Sequence, residues 1–167
     1  MYPGIYNPSK HQHQTRWKKR PLENAFKCLH CEASVHTQPV ISGVQNRNHC
    51  PYCLCSRHVD LVEAGDRMSA CKAIMQPLGL TVKPGRNKYG QTTCGELMLI
   101  HRCNACGKLS INRLAADDLV ERLLEIYFIS LGLDTSTRRE LMLRGIYILE
   151  HEDSYLVTSQ LQGVRQI

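Results

Sequence analysis

Apolar residues are unevenly spread along the chain: they recur with clear periods between Leu97 and Leu149, while the first 90 residues are short of them. In the segment 95–103, Leu97, Leu99, His101 and Cys103 alternate with other residues, a period of two that predicts a strand with these four on one face. Residues 78–83 read as a preceding strand, separated from it by a loop at 84–93 rich in Pro, Gly, Asn and Lys. Lys108 to Arg113 reads as a returning strand. From Ala115 the period becomes helical, with Leu119, Leu123, Ile126 and Ile129 on one side and an end near Gly132. A second helix is expected from Thr135–Thr137, where Thr137 and Glu140 match a capping box, with Leu141, Leu143, Ile146, Ile148 and Leu149 as its apolar surface. The two predict an αα-hairpin, docked on the preceding domain or on a partner. Residues 65–76 predict a short helix, N-capped by Asp66 and stopped before Pro77, that places Cys71 on an apolar face with Met68 and Met75. Residues 151–167 give no assignment.

Upstream, residues 1–25 show no apolar period and are interrupted by Pro3, Gly4, Pro8 and Pro21, as expected of an extended tail. The predicted organisation is a basic tail over 1–25, a small α+β zinc-ribbon domain of short hairpins over 26–113, and a helical extension over 114–167. Apolar residues make up 43% of the 167, but aromatic ones only 6%, so the N-terminal half needs a staple other than a large core.

The staple is read from nine cysteines. The first 25 residues hold no apolar stretch of signal-peptide type, and no run approaches the roughly 18 apolar residues of a membrane span. The expected location is the cytoplasm, where thiols stay reduced, and an odd number of cysteines suits a disulfide framework poorly. Two C-x-x-C turns, Cys28/Cys31 and Cys50/Cys53, stand 18 residues apart, the spacing of a closed tetrahedral zinc site. A redox role for either turn expects a βαβ context that the pattern lacks. With no open position, the site is predicted to be structural. Cys103 and Cys106 form a third turn. Its partners are open among His58, Cys71, His101, Cys94, Cys55 and His49; His58 and Cys71 are favoured, with His101 or Cys94 as substitutes. His101 has the alternative of a hydrogen-bonded core histidine, and Cys55 that of a spare thiol near the first site. One zinc ion is expected, and a second alongside it.

The run Arg47-Asn48-His49-Cys50-Pro51, continued by Tyr52-Cys53-Leu54-Cys55-Ser56-Arg57-His58-Val59-Asp60, resembles the signature of the RNHCP domain family. Gly65-Asp66-Arg67, Cys71, Met75-Gln76-Pro77, His101-Arg102-Cys103 with Cys106-Gly107, and Asn112-Arg113 ahead of Ala115-Ala116-Asp117-Asp118 extend the likeness in order over roughly 24–118. The resemblance implies a compact zinc-binding domain and carries His58 and Cys71 forward as ligands. It implies no activity. Arg47 and Asn48 have two readings, contact with RNA or hydrogen bonds that support the knuckle.

Charge shapes the functional reading. Net charge is +5 over residues 1–27, +5 over 28–113 and −4 over 114–167, giving the formal +6. Two zinc sites, one of four cysteines and one of three cysteines and a histidine, lower this to +3. A tail mixing Arg16, Trp17, Lys18, Lys19 and Arg20 suits phosphate neutralisation and base stacking. With Arg47, Arg57, Lys83, Arg86, Lys88, Lys108 and Arg113 it makes the candidate RNA-binding set, and rRNA on the ribosome is the expected partner. One alternative is a protein-interaction adaptor using the acidic helices. Another is an HNH-like nuclease using His49, His58, Asn112, Asp117 and Asp118, although the two aspartates are also explained as first-turn acids complementing a helix dipole. No catalytic residue is assigned.

Overall fold

A computed structural model describes residues 25–86 and 92–163. Arg16, Trp17, Lys18, Lys19, Arg20 and Lys88 lie outside the described residues. The chain forms two antiparallel sheets and a set of helices. Strands β1 (Ala25–Lys27) and β2 (Ser34–His36) pair as a hairpin, followed by a single helical turn, α1 (Pro39–Ser42). A second sheet has the order β3 (Ser56–Arg57), β4 (Ile74–Arg86), β5 (Thr92–Cys103) and β6 (Leu109–Arg113). Helices α2 (Val120–Ser130), α3 (Thr135–Leu143) and α4 (Ser154–Gln162) close the chain. Among the described residues no helix is long and apolar enough to cross a membrane.

The predicted strands are present, and the first is longer than expected because it begins at Ile74. The expected helix over 65–76 is absent. The Asp66 carboxylate does not start a helix; it accepts hydrogen bonds from the backbone N–H groups of Leu61, Val62, Glu63 and Met68 at 2.7–3.0 Å. These bonds curl the loop on itself and hold the carboxyl well below the usual carboxylate range. Arg67 and Lys72 then take φ values of 56° and 52°, which no α-helix contains.

Alternation along β4 and β5 buries both faces of the sheet. Leu80, Leu97 and Leu99 meet Leu123, Ile126 and Tyr127 of α2 and Val157 of α4, with Leu54 and Leu149 completing the cluster. Ile100 and Leu109 meet Leu141 of α3 in a separate cluster. The helices therefore complete the core of the sheet. The two-helix hairpin is replaced by three helices, because α4 packs beside α2 while α3 serves the other cluster. α3 is capped by Asp134, which accepts from Thr137 N–H at 2.9 Å, in place of the expected Thr137 cap. α2 approaches β4 at Gly79, where an added Cβ would fall 2.9 Å from Ser130 Cβ and 2.8 Å from Ile148 Cδ1. A side chain there would push helix and sheet apart.

Candidate metal centre

The C-x-x-C turns share one backbone design. In each, the N–H of the residue after the second cysteine donates to the carbonyl of the first: Glu32 to Cys28, Leu54 to Cys50 and Gly107 to Cys103, at 2.9–3.0 Å. The N–H of each first cysteine donates to the carbonyl five residues on, in Ala33, Cys55 and Lys108, at 2.9 Å. Closing so tight a turn forces the residue after the second cysteine into the left-handed region, with φ of 62° at Glu32, 59° at Leu54 and 72° at Gly107. Lys72, following Cys71, does the same at 52°, although Cys71 belongs to no C-x-x-C. Its neighbours copy the turn: Ala73 N–H points at the Cys71 sulfur as Ala33 N–H does at Cys31 and Cys55 N–H at Cys53.

The turns converge in pairs. Cys28, Cys31, Cys50 and Cys53 bring four sulfurs within 4.8 Å of one another, and His58, Cys71, Cys103 and Cys106 bring three sulfurs and an imidazole nitrogen equally close. Cross-turn separations are 3.6 Å for Cys28–Cys53, Cys31–Cys50 and Cys71–Cys103, and 3.3 Å from Cys106 Sγ to His58 Nδ1. Sulfurs at tetrahedral corners about 2.3 Å from a zinc ion stand about 3.8 Å apart, so both donor sets fit the ion. The two clusters are consistent with one or two zinc ions, bound by soft thiolates in closed shells.

Electrostatics point the same way. Burial pushes the Cys50 thiol up to about 11 and raises Cys53 further. Burial also raises Cys103, but N–H groups of Cys106 and Ala105 and the neighbouring thiols outweigh it and bring that thiol to about 6. Thiols packed this closely cannot all ionise without a compensating cation, and zinc takes the place of their protons.

The alternative ligands go elsewhere. His101 is fully buried, donating from Nε2 to the Leu54 carbonyl at 2.7 Å and accepting at Nδ1 from the Asn112 amide at 2.8 Å. Burial pushes it down to about 3, so it stays neutral and ties β5 to the Cys50–Cys53 turn. Cys94 sits nine residues before Cys103 on β5, roughly 30 Å away at 3.3 Å per residue. His49 is also buried, with Nε2 at 2.9 Å from Asp118 Oδ2. Cys55 is buried beside the first cluster and, with His30 and Cys53, forms a third close group, which the sequence reading missed.

Arg47 must be struck from the RNA-contact set. Its side chain has no exposure; the guanidinium bonds Asp117 at 2.8 Å, Asp118 at 3.4 Å and the His49 carbonyl at 3.1 Å. Asp117 and Asp118 therefore act as counter-ions and not as first-turn acids, since α2 begins only at Val120. Of the nuclease candidates only His49 and Asp118 meet, at 2.9 Å; Asp118 is also held by Arg47, His58 faces Cys106, and Asn112 faces His101. Arg57, Lys83 and Arg113 are exposed, Arg113 lying 3.2 Å from Glu96. Lys108 is half-buried and strapped to the carbonyls of Asp60 and Leu61, and Arg86 lies at the end of β4.

Each residue of Arg47-Asn48-His49-Cys50-Pro51 thus has a structural task. Arg47 and His49 anchor the aspartates, the Asn48 carbonyl accepts from Arg57 N–H and Ser56 Oγ, Cys50 enters the first cluster, and the Pro51 carbonyl accepts from Leu119 N–H. No curated protein and no solved structure matches the chain. The family model of the RNHCP domain does, over residues 23–124, a span that covers both cysteine clusters, the aspartate pair and the start of α2. The chain belongs to the RNHCP domain family.

Proposed function

We propose that the protein is a zinc-stabilised RNA-binding module that works on the ribosome. Cys28, Cys31, Cys50 and Cys53 hold one structural ion, and His58, Cys71, Cys103 and Cys106 hold the second. The first pair of turns makes a zinc ribbon, each turn lying at the end of a short antiparallel pairing. Both shells are filled by protein donors, so the metal holds shape and leaves no position for a substrate.

The observation that carries the RNA reading is a cavity of about 240 Å³ between the first cluster and the 59–67 loop. Phe26, Leu29 and Val59 give it an apolar floor. Lys27, Arg57 and Arg67 stand at its exposed rim, Lys27 paired with Glu32 at 2.8 Å and Arg67 3.8 Å from Asp60, and among the described residues no carboxylate lines the cavity itself. Arg57 Nε donates to the Lys72 carbonyl at 3.1 Å, which fixes the guanidinium in place. An apolar floor under fixed cations suits an unpaired base with its phosphates. The basic tail, with Arg16, Lys18, Lys19 and Arg20, adds counter-charge for the same partner.

The test is a sucrose-gradient profile of the full-length protein from lysate at two salt concentrations, with zinc measured in the purified fractions. Co-sedimentation with ribosomes is expected, falling steeply with salt and reduced in a chain lacking residues 1–22 or carrying Arg57→Glu with Arg67→Glu. A second reading, docking on a protein partner, is favoured by the exposed Phe128, Ile129, Leu143 and Tyr147 of the helical region. Partners that survive ribonuclease digestion would support it against RNA binding.

A further inference from the structure

His30, Cys53 and Cys55 make a donor group that the two four-ligand clusters leave over, with Cys53 shared. Their ligand atoms all lie within 4.8 Å of one another. His30 projects from the first turn and is exposed, whereas Cys55 is buried just past the second, where its thiol lies beside the Cys53 side chain and donates to the Gln76 side-chain oxygen at 3.4 Å. Both line the 240 Å³ cavity described above, so the group has an entry path and room for a further ligand.

We propose that this group is an accessory site for a second thiophilic cation of the Zn²⁺ or Cd²⁺ class, bridged to the first through the Cys53 sulfur. The shared thiolate gives one lone pair to each ion. His30 and Cys55 supply two more donors, and the fourth position opens into the cavity, where water or an incoming ligand completes the shell. This separates the site from the two closed clusters, whose ions have no vacant position.

Charge favours occupation. One Zn²⁺ with four thiolates carries −2, and the excess sits beside the accessory donors. Loading the second divalent ion releases the Cys55 proton to solvent, leaving two cations and five thiolates with a net −1. The accessory ion is held by fewer donors and is reached directly from solvent, so it exchanges faster than the other two.

The test is a Cd²⁺ titration of the full chain, counting equivalents bound and cadmium NMR resonances. Three equivalents and three resonances are expected in the unaltered protein. His30→Ala and Cys55→Ala should each remove the weakest equivalent and leave two. A stoichiometry of two in the unaltered chain overturns the proposal, while fewer than two overturns it together with the ligand assignment of at least one of the four-donor clusters. A third equivalent that persists in both variants also overturns it. His30 is exposed, so its variant decides the matter if Cys55→Ala fails to fold.

Discussion

Residues 25–73 and residues 74–163 are held together by different physics. The second region has the alternating strands and amphipathic helices of an ordinary core, with Leu80, Leu99, Tyr127, Leu141 and Val157 all fully buried. In the first region the corresponding cluster is Cys28, Val35 and Cys50, with Phe26, Ala33 and Cys53 packed against it. Half of that cluster is cysteine. At roughly 25 cal/mol per Å² of apolar surface, so few side chains cannot offset the cost of ordering some fifty residues, about 1–2 kcal/mol each. Where hydrocarbon is missing, metal–sulfur bonds must supply the difference. The regions meet at defined points: Leu54 of the second turn enters the sheet's core, His101 donates to its carbonyl, and Arg47 reaches the aspartates ahead of α2.

Metal removal tests this contrast with the largest expected effect. Structural zinc in small domains contributes apparent free energies of about 10–16 kcal/mol, as large as the whole net stability of an ordinary domain at about 5–15 kcal/mol. After chelation, amide protection in residues 25–73 should fall to that of an unstructured chain, while β4, β5 and α2 stay protected. Cys50→Ser should act in the same direction. Hydrogen exchange read by mass spectrometry checks both, and uniform loss across the chain would mean that the two regions are a single cooperative unit.

The converse experiment perturbs hydrocarbon and leaves sulfur alone. Leu80→Ala opens a cavity in the largest apolar cluster, for a loss of about 2–5 kcal/mol. Thermal melting should shift down while both four-donor clusters keep their ions at room temperature. Loss of zinc from this variant would show that the turns depend on the sheet beneath them, and the division drawn above would fail.

Legibility in the sequence follows the same division. Period located β5 and α2, because burial of a face leaves a period in the chain, while β4 and β6 were read as the strands that flank β5 across a loop and a turn. The first metal cluster was legible from spacing. The second was not determined by spacing, since His58 and Cys71 are joined to Cys103 and Cys106 only through the folded loop. The helix expected over 65–76 failed for a related reason: Asp66 was read as a cap, yet its oxygens gather four N–H groups of a loop that delivers Cys71 to the metal. Of the two readings of Arg47 the structure favours support of the knuckle, through the His49 carbonyl, and sequence could not choose because a cation carries no sign of its counter-ion and Asp117 stands 70 residues away. His30 carried one signal, its place inside Cys28-Leu29-His30-Cys31, which points it towards whatever that turn binds.

The smallest predicted effect probes the turns themselves. Glu32, Leu54 and Lys72 all follow a cluster cysteine and all hold positive φ, but only Gly107 meets that demand with a glycine. A left-handed residue with a Cβ costs about 1–2 kcal/mol, and glycine gives back roughly 0.5–1 kcal/mol through the entropy of the unfolded chain. Lys72→Gly should therefore be neutral to stabilising by about 1 kcal/mol, despite losing the Lys72 Nζ bond to the Arg67 carbonyl. Leu54→Gly relieves the same strain but empties a fully buried position, so it should destabilise by a few kcal/mol, about the cost of other core truncations. Denaturant melts of the zinc-loaded variants read both signs. If Lys72→Gly lost as much as Leu54→Gly, the Lys72 side chain would be part of the fold's support, and the turn around Cys71 would owe less to the metal than its copied geometry implies.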